Sequence, residues 1–321
     1  MWLLTEQLGW TSEVFANRDE PIWPPLRDSS FARVCRSSDD ELQTPDVIFA
    51  IKPIADSVTP ARLLSRRFRV PLLVDIDDPD VQSQFGEGRR LQVRKFAGRL
   101  LRRQPLDLRD RLAAWRATRH ANTVSNPALL RWYPGATIIP HVRLPRSMPA
   151  HVSRQAVVAF VGTPRHHKGL SLLRSAVAEA NMRLVITADR PADAKLNERW
   201  VGQTSLVEGL GIVEASDIVA LPSLDGAWGR SQFPVKVLDA MMAGRAIIAS
   251  DVPPLRWATG GGAVLVTPGD GTALLDSLRL LAESSVRQRL GERAHDEAMT
   301  RFTPAAVARS FQEVVEGVVG G

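Results

Sequence analysis

Short apolar runs alternate with helical patterns along most of this chain, and that alternation narrows its fold more than any other feature. DVIFAI (46–51), PLLVDI (71–76), AVVAFVG (156–162), MRLVITAD (182–189), SDIVALPS (216–223), RAIIASD (245–251) and GAVLVTPGD (262–270) read as strands. ARLLSRRF (61–68), LSLLRSAVAEA (170–180) and PVKVLDAMMAG (234–244) read as helices between them. Nearly continuous apolar strands separated by helix-length crossovers predict parallel sheets covered on both faces. The class is therefore α/β, with two Rossmann-like domains facing a cleft. LPRSMPAHVSRQ (144–155) is polar, aperiodic and holds two prolines, so it reads as the linker. It divides the chain into 1–148 and 149–321. Ligands of such layers sit at the carboxyl ends of the strands. Helices at Val286–Arg301 and Pro304–Val319 close the chain, the last one able to pack back on the first domain. The stretch to Asp40 has no clear pattern, and Pro21, Pro24 and Pro25 make Glu20–Leu26 a loop.

Composition excludes several classes. With 44% hydrophobic and 24% charged residues the chain is globular rather than disordered. No window holds the ~18 consecutive apolar residues of a membrane span. MWLLTEQLGW has no basic leader region, which predicts a cytoplasmic protein. Cys35 is the single cysteine, so no internal disulfide forms; its apolar surroundings suit packing rather than nucleophilic chemistry. The net charge of +6 and a pI of about 10.2 favour anionic partners. The arginine excess also fits a bias in genomic base composition.

Four segments carry candidate chemistry. In FVGTPRHHKGLSLL (160–173) a strand runs into a glycine-containing loop and then a helix. Free N–H groups, a helix N-terminus, Arg165 and Lys168 meet there, as binding an anion such as a diphosphate requires. Gly162 lets backbone approach phosphate closely. The Walker GxxxxGK[ST] pattern is absent. His166 and His167 are adjacent loop histidines, more often exposed than metal-ligating. In FPVKVLDAMMAGRAIIASD (233–251), Pro234 suits the first helical position, and Lys236 and Asp239 share a helix face. Either they form an ordinary ion pair, or the carboxylate holds ribose hydroxyls while the ammonium meets phosphate. The chain has 41 basic residues but only five lysines, so Lys236 is a marked choice.

PLLVDIDDPD (71–80) places Asp75, Asp77 and Asp78 where an apolar strand ends. Asp-x-Asp after a strand can hold a metal, carry a phosphoryl group, or face a sugar acceptor; an Asp-rich capped turn is the structural alternative. Asp77 and Asp78 are the candidate catalytic pair, positioned to take or orient a hydroxyl proton. RRLQVRKFAGRLLRR (Arg89–Arg103) reads as a basic amphipathic helix within an Arg-rich region to His120, broken near Pro105. It suits an anionic membrane surface, or a core-packed helix with a solvated arginine face. The absence of interleaved aromatics disfavours nucleic acid.

Taken in order, FVGTPRHHKG, ASDIVALPS, FPVKVLDAMMAGRAIIASDV and GAVLVTPGD resemble the donor domain of family-4-type GT-B glycosyltransferases, as does the closing FTPAAVARSFQEVV. NTVSN and TIIPHV resemble that family's hinge segments, with His141 where asparagine is usual. The resemblance runs from about Val157 to the C-terminus. It implies an enzyme moving a sugar from a nucleoside diphosphate sugar to a hydroxyl acceptor, with retention of configuration and with neither metal nor other cofactor. Arg165 and Lys168 then hold the diphosphate, and Asp239 the ribose. Ser231 stands where the family often carries a glutamate, with Lys236 as the substitute contact to phosphate or sugar. A lipid-linked or cell-envelope acceptor, reached from the inner membrane face, fits this class. The alternatives are a nucleic-acid-modifying glycosyltransferase and a non-catalytic nucleotide-sugar binder.

Overall fold

The computed structural model describes residues 1–16, 32–36, 43–80, 108–149, 155–226 and 229–320. Arg89–Arg103 and the Glu20–Leu26 loop lie outside those residues, and of Cys35 only its place in a strand is described. The chain divides into two units. Met1–Ser125, Leu130–Val142 and Pro304–Gly321 form the first; Asn126–Leu129 and Arg143–Thr303 form the second. The chain thus passes between units at Val142/Arg143, ahead of the expected 148/149 boundary, because the stretch after Arg143 is bonded into the second unit. Arg143 N–H donates to Phe302 O. Arg146 pairs with Glu214, and Arg245 donates to Pro149 O.

The first unit holds a four-stranded parallel sheet in the order β3-β4-β5-β6, made of β3 (Ile48–Ile51), β4 (Leu72–Ile76), β5 (Ala121–Val124) and β6 (Thr137–Ile138). A separate parallel pair joins β1 (Ser12–Ala16) to β2 (Ala32–Arg36). The helix after β3 runs Ala55–Phe68, starting earlier than the sequence pattern indicates because it continues through Pro60. Proline there removes one N–H but leaves the first helical turn intact. A further helix covers Leu108–Ala117. Pro304–Val319 belongs to this unit: Val307, Phe311 and Val315 recur on one helical face and pack with Leu4, Leu73, Ile139 and Val142.

The second unit holds a six-stranded parallel sheet in the order β12-β11-β10-β7-β8-β9. Its strands are β7 (Val157–Phe160), β8 (Arg183–Ile186), β9 (Glu198–Trp200), β10 (Ile218–Leu221), β11 (Ala246–Ser250) and β12 (Val264–Val266). Alternation along each strand divides the core into two layers. Val158, Phe160, Ile218, Ala246 and Ile248 meet the helices Leu170–Glu179 and Gly271–Leu280 on one face. Ala159, Val219, Ile247 and Ala249 meet Lys236–Met242, Pro253–Thr259 and Ser284–Arg301 on the other. Each fully buried Leu, Ile, Val or Phe stabilises by about 1.5–3 kcal/mol, so this two-faced core dominates the unit. Two arginines are buried and bonded to backbone carbonyls: Arg245 donates to Ala243 O and Ser216 O, and Arg287 donates from Nη1 to Leu281 O and Ala282 O.

Candidate active site

In the second unit the site is built at the carboxyl end of β7. The strand gives way at Gly162, whose φ of 125° is accessible to glycine but costly for other residues. Gly162 N–H donates to Thr187 Oγ1 across 2.7 Å, tying the loop to the end of β8. The residues His166–Lys168 then form a single 3-10 turn, ending at Gly169 with φ 64°. A Cβ on Gly169 would lie 2.0 Å from Pro222 O, so only glycine lets the turn seat against the end of β10. Leu224 N–H donates to His167 O at 2.7 Å, a second tie to that strand end. The helix Leu170–Glu179 starts at once, leaving its first N–H groups beside the turn.

This backbone gathers positive charge. A Cβ on Gly162 would stand 3.5 Å from Lys168 Nζ, so the ammonium lies directly over the glycine. Burial, then the charges of Arg165 and Lys236, hold Lys168 below the usual lysine value. Burial and the neighbouring cations, Lys168 first, hold His167 below the usual histidine value. Arg165 and Lys236 thus add their charge to that of Lys168 beside a helix N-terminus, an arrangement chemically able to bind a multiply charged anion.

Lys236 reaches this group from the helix Lys236–Met242. Pro234, expected at the first helical position, precedes that helix; its carbonyl accepts Val237 N–H at 3.0 Å, so it shapes the entering turn. Lys236 Nζ lies 3.3 Å from Asp239 Oδ2, and Arg143 Nε donates to Asp239 Oδ1 at 2.7 Å. The Asp239 side chain is fully buried, and both its oxygens face these two cations. Ser231 is also fully buried, and its hydroxyl finds no partner among the described residues. Its carbonyl accepts Asn126 Nδ2–H at 3.1 Å. The structure therefore brings Gly162, Arg165, Lys168, Lys236 and Asp239 together, whereas Ser231 is buried with its carbonyl bonded to Asn126. Sequence reading missed Arg143, one arginine among many with no motif around it.

The first unit carries the aspartates. Asp75 lies in β4 and accepts Thr123 Oγ1–H at 2.6 Å; burial raises its carboxyl above the usual range, outweighing that bond. Asp77, Asp78 and Asp80 follow the strand, with ligand oxygens within 4.8 Å of one another. Ser125 Oγ–H donates to Asp77 O at 2.6 Å, holding the loop to the end of β5. Lys52 stands among these carboxylates, 2.9 Å from Asp80 Oδ2. Sequence reading missed this lysine too, although lysine scarcity was a signal: Lys52, Lys168 and Lys236 all meet charged partners.

Among the described residues no helix is long and apolar enough to cross a membrane. Residues 155–284 match the sequence model of the glycosyl transferases group 1 family. A phosphatidyl-myo-inositol mannosyltransferase of Mycobacterium leprae is 30% identical over 122 residues, which are 37% of this chain and 32% of that protein. The match thus spans about a third of that relative's length. Among solved structures, a sucrose-phosphate synthase from Thermosynechococcus elongatus superposes with a TM-score of 0.73 at 16% identity, covering 99% of this chain and 92% of the other. Anabaena HepE in complex with UDP superposes with a TM-score of 0.68 at 14% identity, covering 96% and 100%. At such identities these likenesses establish the fold. The chain has the GT-B fold, and its residues 155–284 are similar to the glycosyl transferases group 1 family.

Proposed function

We propose that this protein is a glycosyltransferase that moves a sugar from a nucleoside diphosphate sugar to a hydroxyl acceptor with retention of configuration. The observation that carries the reading is the cluster of Lys168, Arg165 and Lys236 over Gly162, within the segment that matches the group 1 family. Bond cleavage at the anomeric carbon leaves a nucleoside diphosphate with growing negative charge. Fixed cations and helix N–H groups aimed at that charge stabilise the departing group more than the bound donor, which is what accelerates cleavage. Arg165, Lys168 and Lys236 take that role, and these side chains supply the charge that a metal would otherwise bring. Asp239 orients Lys236 and Arg143; it reaches ribose hydroxyls only when Lys236 moves off Oδ2. Asp77 and Asp78 handle the acceptor hydroxyl.

The acceptor class that fits best is a lipid-linked or cell-envelope hydroxyl at the inner membrane face. A net charge of +6 favours an anionic surface, and the mannosyltransferase relative is named for a phospholipid. The test is release of nucleoside diphosphate from a panel of nucleoside diphosphate sugars, with and without membrane extract. The reading predicts release from at least one donor, lost in Lys168→Met. Binding of a donor with no turnover under any acceptor condition identifies a non-catalytic binder instead.

A further inference from the structure

The helices Ala55–Phe68 and Leu108–Ala117 lie side by side in the first unit. Asp110 Oδ1 accepts Ala55 N–H at 2.7 Å, and Arg109 faces Asp56 at 3.9 Å, so their first turns meet. Further along, burial and then the charges of Arg66 and Arg116 hold Arg62 below the usual arginine value, as guanidinium groups from both helices crowd together. The buried side chains of the pair are small: Ala55, Val58 and Ala61 in one helix, Ala113, Ala114 and Ala117 in the other. Three large apolar side chains stand outside instead, with Leu63 62%, Trp115 52% and Leu112 42% exposed. An amphipathic helix that packs on a core turns such residues inward, so this face reverses the usual pattern. Leu112, Trp115 and Arg116 recur at helical spacing on one side of their helix. Arg119, in the turn beyond, holds its Cζ 3.8 Å from the centre of the Trp115 ring. Charge here is one-sided. The helices carry Arg62, Arg66, Arg67, Arg109, Arg111 and Arg116 against Asp56 and Asp110, and both aspartates are engaged within the helix pair.

We propose that this paired-helix face docks the first unit on an anionic lipid bilayer, with Leu63, Leu112 and Trp115 entering the headgroup boundary and the surrounding arginines meeting lipid phosphate. Leucines and an indole set among guanidinium groups suit an apolar layer beneath an anionic one. Arginine stems cover the apolar side chains while their heads stay with phosphate, and indole favours the same boundary. Nucleic acid would take the arginines and leave both leucines in water. For its purpose the inference rests on the membrane-side acceptor of the proposed function; the binding itself requires no sugar transfer. The face is separate in sequence from Arg89–Arg103, so variants tell the two apart.

The test is co-sedimentation of the full chain with vesicles of phosphatidylcholine, alone or mixed with phosphatidylglycerol. The wild type should bind the mixed vesicles at least ~10-fold more tightly than the neutral ones, and added salt should weaken that binding. Leu63→Ser/Leu112→Ser/Trp115→Ser should bind at least ~10-fold more weakly, because the apolar anchor is gone. Arg62→Ser/Arg66→Ser/Arg116→Ser should lose roughly 100-fold, at about fivefold for each basic residue near the surface. Arg62→Lys/Arg66→Lys/Arg116→Lys keeps the charge and should bind as the wild type does. Circular dichroism checks folding, and both serine variants should release nucleoside diphosphate in the absence of membrane extract as the wild type does. Equal vesicle binding by the wild type and the folded serine variants overturns the proposal and moves the docking to another segment, such as Arg89–Arg103. No binding by the wild type overturns it as well. Self-association lost in the apolar variant, without vesicle binding, makes the face a contact between copies and likewise overturns it. If no donor releases nucleoside diphosphate, the enzyme reading fails while vesicle binding still decides this face.

Discussion

Arg143 donates from Nε to Oδ1 of Asp239 across 2.7 Å, and the carboxylate it meets is completely buried. The arrangement makes Asp239 the hub of the cationic site, since its other oxygen faces Lys236 at 3.3 Å. Removing Arg143 takes a charge-assisted hydrogen bond from the buried carboxylate while Lys236 remains beside it, which costs about 1.5–3 kcal/mol. Arg143→Ala should therefore lower the unfolding free energy by about that amount in urea titrations. It should also weaken nucleotide binding, because Lys236 is then drawn wholly to Asp239. Unchanged stability in Arg143→Ala would show that the ion pair is not formed in solution.

Lys168 gives a pH signature. Burial and neighbouring cations place its folded-state value below the unfolded value of 10.5. Between those two values the unfolded chain binds more protons, so the free protein gains stability as pH rises through that alkaline window. A bound diphosphate favours the ammonium and raises the value again. Binding then takes up a proton in the same window, and affinity falls as pH rises through it. Calorimetry in buffers of different ionisation enthalpy should detect that proton, and Lys168→Met should abolish it. Proton uptake that survives in Lys168→Met would assign the titration to another group.

Gly169→Ala tests the backbone of the loop. The methyl group would fall 2.0 Å from Pro222 O, at a φ of 64° that disfavours side chains. Backbone strain of this kind costs roughly 1–3 kcal/mol, and relief requires the turn to lift away from β10. Thermal unfolding should show the loss of stability, and nucleotide binding should fall with it. Gly135→Ala, whose Cβ would meet nothing within 4 Å, is the matched control and should leave both unchanged.

The strands and the donor loop were legible because their signals are local. Apolar runs such as 245–251 fall on β11, and the glycines at 162 and 169 mark positions with positive φ. Helix Ala55–Phe68 starts ahead of the 61–68 run read from the pattern and holds Pro60, a residue that helix interiors disfavour. The 3-10 turn His166–Lys168 gives too few residues for any periodicity. Lys52 and Arg143 were invisible for a different reason. Lys52 meets its aspartates across two parallel strands, and Arg143 meets Asp239 across 96 residues. Long-range ion pairs leave no trace in sequence spacing. Ser231 was placed among the donor-binding candidates by its position in a motif, and the motif does not show its full burial, which the strands and helices packed over it decide.

The central claim is that Arg165, Lys168 and Lys236 together hold a diphosphate. Isothermal titration of UDP and GDP against the wild type and the Arg165→Ala/Lys168→Met double variant measures it directly. Each charge-assisted contact is worth about 1.5–3 kcal/mol, so the double variant should bind at least ~100-fold more weakly while remaining folded. Equal nucleotide affinity in the two proteins would contradict the account.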